Sequence, residues 1–142
     1  MTLDELQAQV EKDLKIDDTE LDLESLKTPQ LHSQYLKTYS TYALMLKKAE
    51  GDHSQLHLKK GLFYPGKAEP QEYKDTKFDL KVLRQDVDKF IDADEDIMKS
   101  RQKIEYLKQI CNYCENTLKQ INNRTFQIKN AIEWKKFTMG SM

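Results

Sequence analysis

The feature that most limits how this chain can fold is an unbroken stripe in its last third: Ile104, Leu107, Cys111, Cys114, Leu118, Ile121, Thr125, Ile128 and Ile132. Its steps alternate three and four residues, the register of a helix presenting an apolar seam to another helix. The stripe runs for about eight turns, longer than one small core asks of a single helix. Another surface has to cover it. In a chain of 142 residues internal partners are few, so the spacing points first to helical self-assembly and only second to catalysis.

Composition agrees with an all-α chain. A third of the residues are charged, and the four glycines and three prolines fall mostly between periodic segments. No apolar run is long enough to cross a bilayer. The start, MTLDELQAQVEKDL, is acidic and amphipathic and lacks an apolar secretory core, so it reads as mature protein. Two cysteines inside a helical repeat make no disulfide framework, which points to a reducing, intracellular compartment. Net charge is −1, yet it is unevenly spread. Residues 1–57 hold six lysines against eleven acids, residues 58–98 eight basic against ten acidic groups, and residues 99–142 nine against three. An acidic front and a basic tail suggest different partners for the two ends.

Along the chain, Thr2 with Glu5 forms a capping box ahead of Leu3, Leu6 and Val10, so a first helix runs to about Leu14. Leu21, Leu23 and Leu26 suggest a short second turn. Thr28-Pro29 reads as an N-cap and first helical position, opening a longer helix. Its seam is Tyr35, Tyr39, Tyr42, Leu46, Ala49, His53 and Leu56, with a bend or break expected at Gly51-Asp52. Gly61, Pro65, Gly66 and Pro70 predict an exposed loop over 59–77. Helical periodicity returns at Phe78 or Leu80. The acidic run 92–96 is either a solvated face of one continuous helix or places Asp94 or Asp96 as the cap of a new one. A long basic helix then runs to about Phe137, with Gly140 as terminator. The chain divides accordingly into an N-terminal helical region, 1–77, carrying the loop, and a C-terminal oligomerisation region, 78–142.

Little in this pattern is catalytic. His53 and His57 stand four apart, but no acid-bearing zinc motif accompanies them. Cys111 and Cys114 form a lone C-x-x-C at seam positions, where small buried hydrophobes suffice. The acids Asp92, Asp94, Glu95 and Asp96 lack calcium-loop spacing, and no glycine-rich phosphate loop is present. No enzyme activity, cofactor or metal is expected. The loop is more informative. Lys59, Lys60 and Lys67 flank Phe63 and Tyr64, pairing cations for phosphates with rings for bases, the ingredients of a single-strand binding surface. In the alternative, Leu62 and Phe63 anchor the loop while its lysines face water. Lys129, Lys135 and Lys136 around Trp134 admit the same two readings.

Five stretches carry a resemblance that runs nearly end to end: LDELQAQVEKDLKIDDTEL, HSQYLKTYSTYALMLKKAE, LKKGLFYPGK, DADEDIMK and INNRTFQIKNAIEWKKFTMG. In order and spacing they resemble the UvsY-like recombination mediators of T4-like bacteriophages. The resemblance implies a non-enzymatic factor that binds single-stranded DNA and forms hexameric or heptameric rings. It also implies contacts with the phage recombinase and the phage single-strand binding protein, in the cytoplasm of an infected bacterial host. By position, the family's basic-aromatic element places its arginine at Lys60, its paired tyrosines at Phe63 and Tyr64, and its last arginine at Lys67. Its earlier lysine falls on Leu58, with Lys59 beside it, and Pro65 stands in place of a serine. Oligomerisation through the C-terminal region falls on Cys111, Cys114, Leu118, Ile121, Thr125, Ile128 and Ile132. The competing reading is a structural or adaptor helical oligomer without intrinsic DNA binding.

Overall fold

A computed structural model describes residues 1–74 and 82–140. The fold is all-α: α1 (Leu3–Leu14), α2 (Leu21–Phe63), α3 (Val87–Asp92) and α4 (Glu95–Thr138), with 3-10 turns at Pro70–Tyr73 and Arg84–Asp86. Among the described residues there is no strand, and no helix is long and apolar enough to cross a membrane. The chain forms two units, Met1–Ala43 with Gln109–Met142, and Leu44–Lys108. Both long helices therefore contribute a half to each unit, rather than one region lying before residue 77 and another after it.

In the first unit α1, the front of α2 and the back of α4 form a three-helix bundle. The capping box at Thr2 is present: Glu5 N–H donates to Thr2 Oγ1 at 3.2 Å, and Thr2 N–H donates to the Glu5 carboxylate at 3.0 Å. That start aims Leu6 and Val10 inward, onto Leu31 and Tyr35 of α2 and Ile110, Cys114 and Ile121 of α4. Each fully buried side chain of this size contributes about 1.5–3 kcal/mol. Polar contacts set the register. Tyr35 donates to Asp13 at 2.8 Å and Tyr39 to Glu115 at 2.9 Å. Tyr42 donates to the carbonyl of Met1 at 3.3 Å. Both α1 and α4 thus run antiparallel to α2 here.

The α4 seam differs from the sequence expectation by one position in alternate steps. Ile104, Leu107, Cys111, Cys114, Ile121 and Ile128 are buried as expected, but Ile110, Thr117 and Arg124 are buried with them. Thr125 and Ile132 stay exposed, and Leu118 is half-buried. Thr117 folds its hydroxyl back to the carbonyl of Tyr113 at 2.9 Å. Arg124, 1% exposed, meets the Glu24 carboxylate through Nη2, while Nη1 donates to the Glu24 carbonyl at 2.5 Å and to Thr28 Oγ1 at 3.0 Å. A straight helix drifts about 20° per heptad from a strict 3.5 repeat, so a seam read from apolar residues alone slides off the packed face. The expectation that this stripe needs another molecule to cover it is also corrected. Cys111, Cys114, Ile121 and Ile128 are buried within the chain itself.

The Glu24–Arg124 contact also explains why α2 starts seven residues before Thr28-Pro29. Leu21 and Glu24 are both buried, which holds a first turn that Pro29, now inside the helix, would otherwise discourage. The carbonyl that Pro29 cannot pair belongs to Ser25, an exposed residue. Nor does α2 break at Gly51. Nothing lies within 4 Å of where a Cβ would stand there, so the glycine's cost is borne by burial on the opposite face, at Ala49 and half-buried Leu46, His53 and Leu56.

The second unit pairs the back of α2 with α3 and the front of α4 around Ala49, Val82, Ile91, Ile97, Ile104 and Leu107. His53 Nδ1 and Ser100 Oγ are 2.9 Å apart. The acidic run resolves into the capping alternative. Asp94 Oδ1 accepts from the backbone N–H groups of Asp96 at 2.9 Å and Ile97 at 3.1 Å, opening α4. Residues 75–81, where the spacing predicts that helical periodicity returns at Phe78 or Leu80, lie outside the described residues.

Candidate nucleic-acid interface

The basic-aromatic element is the C-terminal end of α2 and the turn after it. The helix continues through Lys59 and Lys60 to Phe63, further than the sequence suggests. It then stops in a Schellman arrangement: Lys67 N–H donates to the Leu62 carbonyl at 2.8 Å and Gly66 N–H to the Phe63 carbonyl at 3.1 Å. Gly66 takes φ +82°, a left-handed conformation that glycine alone adopts without cost. Pro65 sits just before it and, lacking an N–H, cannot extend the helix's hydrogen-bond ladder.

The returning segment closes over the aromatic residues. Tyr73 stacks on Phe63 with ring centres 4.8 Å apart and 15° between planes. Its hydroxyl donates to the Phe63 carbonyl at 2.7 Å and accepts from Ala68 N–H at 3.2 Å. Tyr64 packs edge-on to Phe63 and against Phe90, and donates to Asp94 Oδ2 at 2.5 Å. Lys59, Lys60 and Phe63 converge with Glu72 on one groove of about 190 Å³. Tyr64 and Lys67 do not line it. The five residues expected to bind DNA are thus neighbours, but three of them share a surface.

The lysines are not equivalent. Lys59 and Lys67 are exposed and, among the described residues, neither pairs with a carboxylate. Lys60 is different: its side chain is 18% exposed and lies 3.0 Å from Asp96 Oδ2 and 3.2 Å from Asp94 Oδ2. Its ammonium also stands 5.6 Å from the centre of the Phe63 ring. Burial pulls the Lys60 pKa down, but the bonds to Asp96 and Asp94 outweigh it and the net shift is upward. Burial likewise opposes ionisation of Asp94, yet Tyr64, the Ile97 N–H and Lys60 hold its carboxyl below the ordinary range. Burial and then Asp94 push the Tyr64 phenol upward.

Asp94 therefore joins three tasks: helix cap, acceptor for Tyr64 and counter-ion for Lys60. Asp94→Ala is expected to lower stability by about 1–3 kcal/mol, from a lost cap and the loss of the bond that Tyr64 donates to Asp94. Asp94→Asn keeps the cap and should cost less. Because the folded carboxyl is depressed, its contribution is fully present above the ordinary aspartate range. It is lost as pH falls through the lower, folded value. Thermal melts of wild type and Asp94→Asn should draw together as pH falls below the ordinary aspartate range; parallel curves there would remove Asp94 from that role.

The other chemistry-bearing residues have structural positions. Cys111 and Cys114 are buried free thiols; burial pushes Cys114 up to about 11 and Cys111 upward, so both are inert small hydrophobes. Asp92 lies 3.6 Å from Arg101. Among the described residues no group of histidines, cysteines and acids is placed to share a metal. What sequence reasoning missed is the pair Asp94 and Asp96 as partners of Lys60. An acid run some thirty residues downstream of a basic element was the available signal.

The described residues form an all-α scaffold that carries a basic, aromatic helix end. The chain matches, over residues 9–141, the family model described as recombination, repair and ssDNA binding protein UvsY, and it belongs to that family. It is 26% identical to the recombination protein uvsY of Enterobacteria phage T4 over 141 residues, 99% of either chain. Crystal structures of the bacteriophage T4 recombination mediator protein UvsY share the fold. One superposes with a TM-score of 0.83 at 23% identity over 98% of both chains. A second gives 0.82 at 22% identity over 97% of this chain and 99% of that one.

Proposed function

We propose that this chain is a recombination mediator. It binds single-stranded DNA and helps a phage recombinase replace the phage single-strand binding protein on it, in the cytoplasm of the infected host. The observation that carries this reading is the groove where Lys59, Lys60 and Phe63 meet, in a chain of this family. Lys59 and Lys67 supply exposed charge for phosphates. Phe63 lines the groove with Tyr73 stacked on it and Tyr64 edge-on to it, so a base would meet an aromatic cluster rather than a lone ring. Repeated around a hexameric or heptameric ring, weak sites of this kind add by multivalency into tight, salt-sensitive binding. No step needs hydrolysis; binding energy alone bends or extends the strand and presents it to the recombinase.

One observation favours the adaptor reading instead: Lys60 already has two carboxylates for company. Titrating a fluorescent single-stranded oligonucleotide across a salt series, with an equal-length duplex as competitor, separates the two. Tight single-strand binding that weakens steeply with salt is expected. No binding at low salt by folded, oligomeric protein leaves the adaptor.

For the ring, the buried members of the seam are spoken for, and the surface offered is the opposite side of α4. Trp134 and Phe137 stack at 5.7 Å and are 64% and 75% exposed, with Phe126 three turns earlier on the same side. Thr125 and Ile132 remain exposed beside the core. Changing both Trp134 and Phe137 to aspartate is expected to shift sedimentation toward monomer with helicity retained. Aromatic anchors of this kind commonly carry at least about 2 kcal/mol each. An unchanged oligomer would move the ring contact elsewhere.

A further inference from the structure

Among the described residues, Lys60 is the lysine of the basic-aromatic element whose charge is already matched, and it is over-matched. One ammonium faces two carboxylates, Asp94 at 3.2 Å and Asp96 at 3.0 Å, so the cluster carries a net negative charge. The two acids differ. Asp94 is buried and fixed as the cap of α4 and acceptor of Tyr64. Asp96 has a 61% exposed side chain, accepts no capping bond among the described residues, and holds Lys60 from the solvent side. Lys60 in turn lines the groove with Lys59 and Phe63. A phosphate entering that groove competes for the Lys60 ammonium with both carboxylates, and Asp96, the exposed one, is the one free to swing away.

We propose that Asp96 is a built-in competitor for phosphate, an autoinhibitory counter-ion that masks Lys60 until a single strand occupies the groove. This rests on the single-strand binding reading above. In the free protein Glu72 on the groove wall and Asp96 on Lys60 both offset its lysines, so isolated phosphates and short strands are held weakly, by Lys59. A longer strand brings one phosphate onto Lys59 and its neighbour onto Lys60, releases Asp96, and recovers the masked charge as one more counterion-releasing contact. Asp94 stays in place throughout, because the helix cap depends on it.

The test is a salt series of binding to a fluorescent oligothymidylate, using the full chain as wild type, Asp96→Asn, Asp92→Asn, Lys60→Ala, and Lys60→Ala with Asp96→Asn. Asp92→Asn removes the same charge from the same helix boundary but touches Arg101, not Lys60. Asp96→Asn should bind about two- to fivefold more tightly per site at low salt, the range for undoing an exposed or half-buried ion pair. The gain should be absent from Asp92→Asn and from the Lys60→Ala background. Equal affinity of Asp96→Asn and wild type overturns the proposal, as does an equal gain in Asp92→Asn or in the Lys60→Ala background. If wild type itself fails to bind at low salt, the DNA-binding reading falls and takes this one with it. Binding by wild type without a gain in Asp96→Asn removes the counter-ion alone.

Discussion

Glu24→Ala is expected to destabilise the first unit by about 3–5 kcal/mol, because it strands the Arg124 guanidinium in a buried site. Arginine does not escape by losing its proton, and Nε of Arg124 already has no protein partner. The remaining acceptors, the residue-24 carbonyl and Thr28 Oγ1, are neutral. Arg124→Ala should cost less by charge, since Glu24 keeps Lys27 at 2.8 Å, but it adds a packing void. Lys27, against the opposing effect of burial and with help from Arg124, holds the Glu24 carboxyl below its ordinary range. Replacing the pair together, Glu24→Leu with Arg124→Met, should recover most of the loss, as hydrophobic replacements of buried ion pairs commonly do. Urea unfolding at one protein concentration reads this directly. A midpoint drop of about 2 M is expected for Glu24→Ala. A drop too small to measure would mean that water reaches the pair and that Arg124 does not set the register of α2 on α4.

That pair marks where the sequence stops being legible. Thr2, Glu5, Leu6 and Val10 announce α1 because capping and periodicity are local and agree with each other. Tyr35, Tyr39, Tyr42, Leu46, Ala49, His53 and Leu56 are all buried or half-buried, as their spacing predicts. The faults lie where a distant contact overrules a local rule. Thr117 and Arg124 look polar, so an apolar template assigns their places to Leu118 and Thr125. Only the partner that satisfies each of them, the Tyr113 carbonyl and Glu24, makes their burial tolerable. Pro29 and Gly51 look like boundaries because their cost is intrinsic, while the burial that outweighs it is tertiary.

The candidate site divides in the same way. Residue types and the Gly66 turn are visible in LKKGLFYPGK, but the division of labour among the lysines is not. It depends on α4 opening at Asp94 and so placing Asp94 and Asp96 against Lys60. The resemblance to the family names positions, and geometry ranks them: Lys60 is masked, whereas Lys59 and Lys67 are exposed.

Lys59→Ala with Lys67→Ala is therefore expected to have the largest effect on DNA binding with the smallest effect on folding. Both side chains are exposed and, among the described residues, free of ion pairs, so stability should stay within about 0.5 kcal/mol of wild type. Removing one lysine–phosphate pair lowers the slope of log affinity against log salt by about 0.7 on a single strand. In an assembled ring these reductions multiply across protomers that share one strand, so affinity at low salt should fall by about a hundredfold or more. Lys60→Ala is a poorer probe, because it also leaves Asp94 and Asp96 without their counter-ion. The proper control is Lys47→Ala with Lys48→Ala, which removes the same charge from exposed positions of the same helix. If that control weakens binding as much as the Lys59 and Lys67 pair does, attraction is a property of the whole surface and the helix end is not the site. If only the pair at the helix end weakens it, and the salt slope falls as well, the groove beside Phe63 holds the strand.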